Sequence, residues 1–340
     1  MPREGAPLGR TPLVEIVRRF GMALMLIVII AVVSILNPRF FSVSNFLIIM
    51  RQVAINGTLA AGMTMVIISG GIDLSVGGNV ALAGCLAAGA LGATSNPAVA
   101  IIVGLGAGVV VGFINGMFVA YPKMPPFIVT LATLALCRGL TLVYTGGRPL
   151  LVDSKVFDFL GGGFVWGIPF PVLIMAAIYI IVYFLMTNTK FGRMVYAIGG
   201  NEQACRLSGI NVEKYKTAVY TLSGLTAGIA AVILTARLMS AQPTAGTGYE
   251  LDAIAAVILG GTSLSGGEGG ITGTIIGAFI IGVLANGLNL LNVSPFYQEV
   301  AKGLVILAAV LMDKLIHTTA SQVESGPPRM GERLGRQARQ

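Results

Sequence analysis

The segment Gly70-Gly71-Ile72-Asp73-Leu74-Ser75-Val76-Gly77-Gly78 puts a carboxylate and a hydroxyl on flexible backbone between two long apolar runs. Ionisable groups at membrane depth are costly and mark function. Irregular backbone there survives only where protein covers it or where it lines a wet cavity. Asp73 and Ser75 are therefore candidates for a gate on a solute path. The competing reading is an ordinary helix cap, since Asp or Ser before an apolar run accepts from free N–H groups. Glu250 and Asp252 open another apolar run and carry the same two readings.

Neutral polar groups extend the set. Asn56, Asn79, Asn115, Asn286 and Asn289 lie in or beside apolar runs, where they either face a hydrophilic solute or bond across helices. The candidate pathway and gate residues are Asp73, Ser75, Asn79, Asn115, Asp252, Ser265 and Asn286. Arg51, Arg138, Arg237, Glu299 and Lys302 also border apolar runs, and several lie near span ends, where long side chains snorkel.

Enzyme signatures are missing: there is no HExxH, no G-x-S-x-G and no Cys/His pairing. No Lys follows a Gly, so the chain lacks a P-loop, and ATP-driven work requires a partner subunit. Cys85, Cys137 and Cys205 are far apart, and we expect no disulfide, metal site or cofactor. His317, the one histidine, reads as an interfacial residue.

These residues need a scaffold, and composition says which kind. Hydrophobic residues make up 55% of the 340 and charged residues 11%, too little charge to cover a water-soluble surface. A spanning helix needs roughly 20 mostly apolar residues. The runs 20–37, 45–69, 76–93, 98–121, 127–145, 169–187, 217–237, 251–263, 271–291 and 295–313 predict an all-α polytopic membrane protein with about ten transmembrane helices and broken or re-entrant segments. The run after the basic N-terminus is long for a signal peptide and ends in no small-x-small site, so an uncleaved first span is expected.

Net charge is +8, but the basic residues cluster outside the apolar runs, with no Lys/Arg stripe carrying interleaved aromatics. Nucleic-acid binding is not expected. The N-terminus, residues 188–216 and the C-terminus are all basic. Six spans before 188–216 and four after it put all three on one face, the cytoplasmic one. This gives a basic N-terminus over 1–19, a membrane domain over 20–316 and a polar tail over 317–340, both termini being cytoplasmic. The longest loop on the opposite face, 146–168, has balanced charge.

Ile68-Ser69-Gly70-Gly71-Ile72-Asp73-Leu74-Ser75 is echoed by Ile258-Leu259-Gly260-Gly261-Thr262-Ser263-Leu264-Ser265. Related halves with broken helices at matching positions are common in transporters, and chance among Gly-rich segments is the alternative. With both breaks facing the cytoplasm, a repeat would be parallel. Gly104, Gly108, Gly112 and Gly116 recur every four residues and predict a smooth packing stripe, as do Gly224 with Gly228 and Gly273 with Gly277.

In the cytoplasmic loop, Gly199-Gly200-Asn201-Glu202-Gln203-Ala204-Cys205-Arg206-Leu207-Ser208-Gly209-Ile210 predicts a short helix with a Gly stop. Ala204 and Leu207 give it an apolar face, and Glu202 and Arg206 pair at i,i+4. It has the form of a docking knob, and an ordinary surface helix is the plainer alternative.

Together these segments resemble the permease subunits of ribose/xylose-type sugar ABC importers, over about residues 20–315. The strongest pieces are GGIDLSVG at 70–77, GGNEQACRLSGI at 199–210 and YELDAIAAVILGGTSLSGGEGG at 249–270. The resemblance implies a dimeric permease core in the bacterial inner membrane, working with a cytoplasmic ABC ATPase and a periplasmic sugar-binding protein. A monosaccharide is the expected cargo, moved to the cytoplasm by alternating access. Asn201, Glu202, Ala204, Arg206 and Gly209 are then expected to couple to the ATPase. Cys205 stands where such permeases commonly carry Ala. Permeases for nucleosides and branched-chain amino acids share the plan. An ion-coupled transporter using Asp73, or a membrane scaffold that transports nothing, are the rival readings.

Overall fold

The computed structural model describes residues 12–324, with side chains described for 21–308, 310 and 311. Residues 1–11 of the predicted N-terminal arm and 325–340 of the predicted C-terminal tail lie outside them, as does the side chain of His317, while 12–19 and 317–324 belong to the first and last helices. Within these bounds the chain forms thirteen α-helices: α1 Pro12–Leu36, α2 Val43–Ile68, α3 Val76–Thr94, α4 Pro97–Ala120, α5 Pro126–Thr145, α6 Lys155–Gly162, α7 Phe170–Asn188, α8 Lys190–Gly200, α9 Glu202–Leu207, α10 Val212–Leu238, α11 Tyr249–Leu259, α12 Ile271–Leu290 and α13 Pro295–Glu324. A 3-10 helix over Pro38–Phe41 and four two-residue strands join them: β1 Leu150–Leu151, β2 Phe164–Val165, β3 Ile168–Pro169 and β4 Ser240–Ala241.

Each of the ten expected spans coincides with one helix. Among the described residues, seven of those helices are long and apolar enough to cross a bilayer. The eighth expected span is α11, and its 11 residues cover about 16 Å, half a hydrocarbon core.

The centre of the bundle is α2 and α10. Sixteen consecutive residues of α2, 53–68, are buried, so this stretch is wrapped by protein on every face. The predicted glycine stripe explains how α4 joins α10. A Cβ on Gly108 would strike the backbone of Gly224 and Gly228, one on Gly112 that of Tyr220 and Gly224, and one on Gly116 that of Thr217. Descending α4 thus meets ascending residues of α10, and the antiparallel backbones touch. Gly277 and Gly273 do the same for α12 against Ala256 of α11 and Gly260 just after it. In contrast, α4 and α5 expose long apolar side chains such as Ile102, Val110, Leu136 and Val143 along their outer faces.

At one end α8 and α9 project between α7 and α10. At the opposite end the 146–168 segment folds into β1, α6, and the β2–β3 hairpin. β1 pairs antiparallel with β4, and Phe157 of α6 is buried. This segment covers the C-terminal end of α10, with Gly161 against the backbone of Ala236 and Arg237.

Candidate functional site: two helix breaks and a projecting knob

Both Gly-Gly segments stop a helix by the same device. At the end of α2 the Gly71 N–H donates to Val66 O (3.0 Å) and the Gly70 N–H to Ile67 O (2.9 Å), with Gly70 at φ +79°. At the end of α11 the Thr262 N–H donates to Val257 O (3.2 Å) and the Gly261 N–H to Ile258 O (2.8 Å), with Gly261 at φ +79°. These are Schellman stops, which satisfy the last carbonyls and need a left-handed residue. The structural equivalents are Gly70 and Gly261, so the sequence echo is one residue out of register. The Gly266 backbone lies against Gly70, so the two stops share one end of the molecule, the end that carries α9.

After the first stop Asp73 gathers the chain. Its Oδ1 accepts from the Ser75 N–H (3.0 Å) and hydroxyl (2.6 Å), and its Oδ2 from the Ser223 hydroxyl of α10 (2.8 Å). The Asn115 amide of α4 donates to Ser75 Oγ (2.7 Å), and the Thr133 hydroxyl of α5 donates to Asn115 Oδ1 (2.6 Å). Asn79 donates to Gly108 O (3.3 Å). Asp73, Ser75, Asn79 and Asn115 are each at most 1% exposed. Desolvating a carboxylate is expensive, and three donors on its two oxygens offset that cost. The cluster ties the break to α10, α4 and, through Thr133, α5.

The helices that follow and precede these stops begin inside the bundle. Asn79 meets Gly108, and α4 continues to Ala120, about 18 Å further. α3 therefore starts about 13 Å short of the end of α4. Likewise Gly277 meets Ala256, and α12 continues to Leu290 while α11 reaches back only to Tyr249. α11 thus begins about 9 Å short of the opposite end. The two N-termini adjoin: a Cβ on Gly77 would strike the Gly246 carbonyl and the Glu250 carboxylate. Helix N-termini carry partial positive charge and favour the acids there, Glu250 and Asp252 in the first turn of α11.

Charged side chains frame this junction. Asp252 accepts from Lys302 of α13 (3.2 Å) and from Asn56 of α2 (3.3 Å), and Lys302 also reaches Glu299 (3.3 Å). Arg138 of α5 donates to Ala245 O (2.5 Å). Beside it, a cavity of about 310 Å³ opens between the end of α10 and the 242–249 segment, with Gln242, Thr244, Thr247 and Tyr249 in its wall.

The knob is α9. Asn201 caps it, its Oδ1 accepting from the Ala204 N–H (2.8 Å), and Gly209 at φ +79° follows it. Cys205 points inward against Ile198 and Val212, whereas Leu207 is 84% exposed. Arg206 bonds Glu202 (2.8 Å) and Glu213, and Lys216 bonds Glu202 (2.5 Å), so ion pairs tie α9 to the start of α10. Partial burial works against the Glu202 carboxylate, but hydrogen bonds and charge from Lys216 and Arg206 outweigh it and hold its pKa below the ordinary 4.5.

The expected pathway residues fall into separate groups. Asp73, Ser75 and Asn115 join in one cluster, with Asn79 beside it. Asp252 belongs to the Lys302 group. Asn286 exchanges amide hydrogen bonds with Asn45 (2.8 and 3.0 Å), linking α12 to α2. Ser265 is exposed in the loop at the α9 end, its N–H donating to Ser263 Oγ (3.2 Å). The Asp252–Lys302 pair was not foreseen, because 50 residues separate its members. α8 was also not foreseen, although Thr189 as cap and Phe191, Val195 and Ile198 at helical spacing announce it.

Comparison with known proteins sets this geometry in a family. Residues 45–310 match the family described as branched-chain amino acid transport system / permease component. The ribose import permease protein RbsC of Bacillus subtilis (strain 168) is 54% identical over 88% of this chain and 94% of its own length. RbsC of Escherichia coli (strain K12) is 51% identical over 85% and 91%. The L-arabinose transport system permease protein AraH of the same strain is 38% identical over 91% and 94%. No solved structure matches the chain. With the match spanning most of the helical bundle, both breaks and the knob, this chain belongs to that family of transport-system permeases, and its relatives are the monosaccharide permeases of ABC importers.

Proposed function

We propose that this chain is the permease of an importer for ribose or a closely similar monosaccharide, driven by a separate ABC ATPase and fed by a sugar-binding protein outside the membrane. The identity of 54% and 51% to ribose permeases, against 38% to an arabinose permease, supports ribose over other sugars. That the family's description names amino acids is weaker support for an amino acid cargo, because the relatives quoted are sugar permeases.

The observation that carries the mechanism is α9: a capped six-residue helix that holds a bare leucine outward and is fastened by ion pairs. We assign Asn201, Glu202, Ala204, Arg206 and Gly209 to its shape and Leu207 to its contact with the ATPase. The α9 end then faces the cytoplasm, as do both termini, and the chain crosses about ten times, α11 pairing with the re-entrant 242–248 segment in place of one full span. Two copies enclose the path, the apolar outer faces of α4 and α5 turning to lipid. Asp73, Ser75, Asn79 and Asn115 form the hinge of the gate; Asp252 and Asn286 lie toward the outer half, and Ser265 at the inner mouth. Ion coupling through Asp73 is disfavoured because both its oxygens already accept hydrogen bonds.

Uptake by vesicles that carry the permease, its ATPase and its binding protein tests the cargo. Labelled ribose accumulates and unlabelled leucine does not compete. Accumulation of leucine with no response to ribose contradicts the proposal.

A further inference from the structure

At the α9 end three glycine segments meet with no side chain between them. The Gly267 N–H donates to Ile68 O (2.9 Å), which joins the second break to the last turn of α2. Gly199, one residue before the end of α8, sits between them: a Cβ there would strike the Ile68 carbonyl and the Gly267 nitrogen. A Cβ on Gly266 would lie 2.9 Å from Gly70 Cα, and one on Gly267 2.8 Å from Gly200 Cα. Gly266 and Gly267 hold φ +80° and +76°, so they can turn toward this contact where other residues are strained. The Tyr196 hydroxyl of α8 adds a bond to Gly269 O (2.9 Å).

We propose that this junction is the transmission of the permease: Gly199 and Gly267 are positioning residues that carry displacement of α9 into both breaks at once. The proposal rests on the reading that α9 docks on the ATPase. α9 follows α8 across the single residue Asn201, so motion of the knob moves Gly199. Side chains in a contact absorb small displacements by changing rotamer. Backbone in van der Waals contact has no such slack, and close-packed interiors transmit strain. Moving Gly199 therefore moves the end of α2, hence the Asp73 cluster five residues on, and the loop that opens α12.

Adjacent glycines give the test. A Cβ on Gly199 has no room, whereas one on Gly200 meets nothing within 4 Å. Gly199→Ala and Gly200→Ala are assembled with the ATPase in proteoliposomes, and sugar transported per ATP hydrolysed is measured beside ATPase co-purification. The expected result is undiminished co-purification with both variants, at least a tenfold fall in transport per ATP for Gly199→Ala, and a change under twofold for Gly200→Ala. Wild-type coupling in Gly199→Ala, or equal loss in both variants, overturns the proposal. If Gly199→Ala fails to accumulate in the membrane, Tyr196→Phe decides, since it removes one bond at nearly constant volume: a several-fold fall in the ratio supports the junction and an unchanged ratio overturns it. Leu207→Asp separates the underlying reading, because retention of ATPase binding by that variant refutes α9 docking and leaves the Gly199 and Gly200 comparison to be read alone.

Discussion

From the left-handed Gly70 the chain takes five residues to reach Ser75 and start α3, and Asp73 fastens it on the way to α10 and, through Ser75, to α4. From the equivalent Gly261 it takes nine residues to reach Gly270 and start α12, passing Gly266, Gly267 and Gly269 at positive φ with no carboxylate in the corresponding place. The stops are alike and the sequels differ. One break is bolted into the core by charge-assisted hydrogen bonds, and the other is a partly exposed glycine collar whose contacts include backbone packing, the Gly267 N–H on Ile68 O and the Tyr196 hydroxyl on Gly269 O.

Removing the bolt gives the largest effect. Asp73→Ala leaves the Ser223 hydroxyl and the Ser75 N–H without their acceptor, which costs about 3 kcal/mol of stability, read as a lower melting temperature in detergent. Ser265→Ala in the collar costs under about 0.5 kcal/mol. Equal losses at the two positions erase the distinction between the breaks. Next comes the drive to them. On the proposed docking of α9, Leu207→Asp forfeits burial of one leucine in the ATPase, about 1.5–3 kcal/mol, so affinity measured by titration is expected to fall about ten- to a hundredfold while the permease still inserts. The smallest effect is that of pH on the same docking. Because the folded pKa of Glu202 is depressed, its ion pairs contribute fully above the ordinary carboxylate value of 4.5 and are lost as pH falls through the lower folded one. Docking is flat between about pH 8 and 6, and a loss centred in that window argues against a charged Glu202.

Much of the bundle was legible because membrane burial writes long apolar runs. The glycine stripe on α4 was legible for a related reason: a four-residue period leaves one face bare, and the backbone of α10 fills it. The knob was legible from Asn201, the Glu202–Arg206 spacing and Gly209, which are all local. What stayed hidden was long-range pairing. Nothing near Asp73 announces Ser223, and nothing near Asp252 announces Lys302. α11 read as a span because Ala, Ile, Val and Leu fill it, yet Gly248 and Gly260 bound it at half that length. The echo between the breaks hid its true register, since Gly-Gly pairs align equally well one residue either way, and the turn hydrogen bonds together with the φ of Gly70 and Gly261 settle it.

The most direct measurement is solute accumulation in proteoliposomes holding the purified permease, with and without its ATPase. If the chain is a conduit worked from its α9 end, ribose accumulates against its gradient only when the ATPase, ATP and the sugar-loaded binding protein are all present. Uphill accumulation by the permease alone, under any ion gradient, contradicts it.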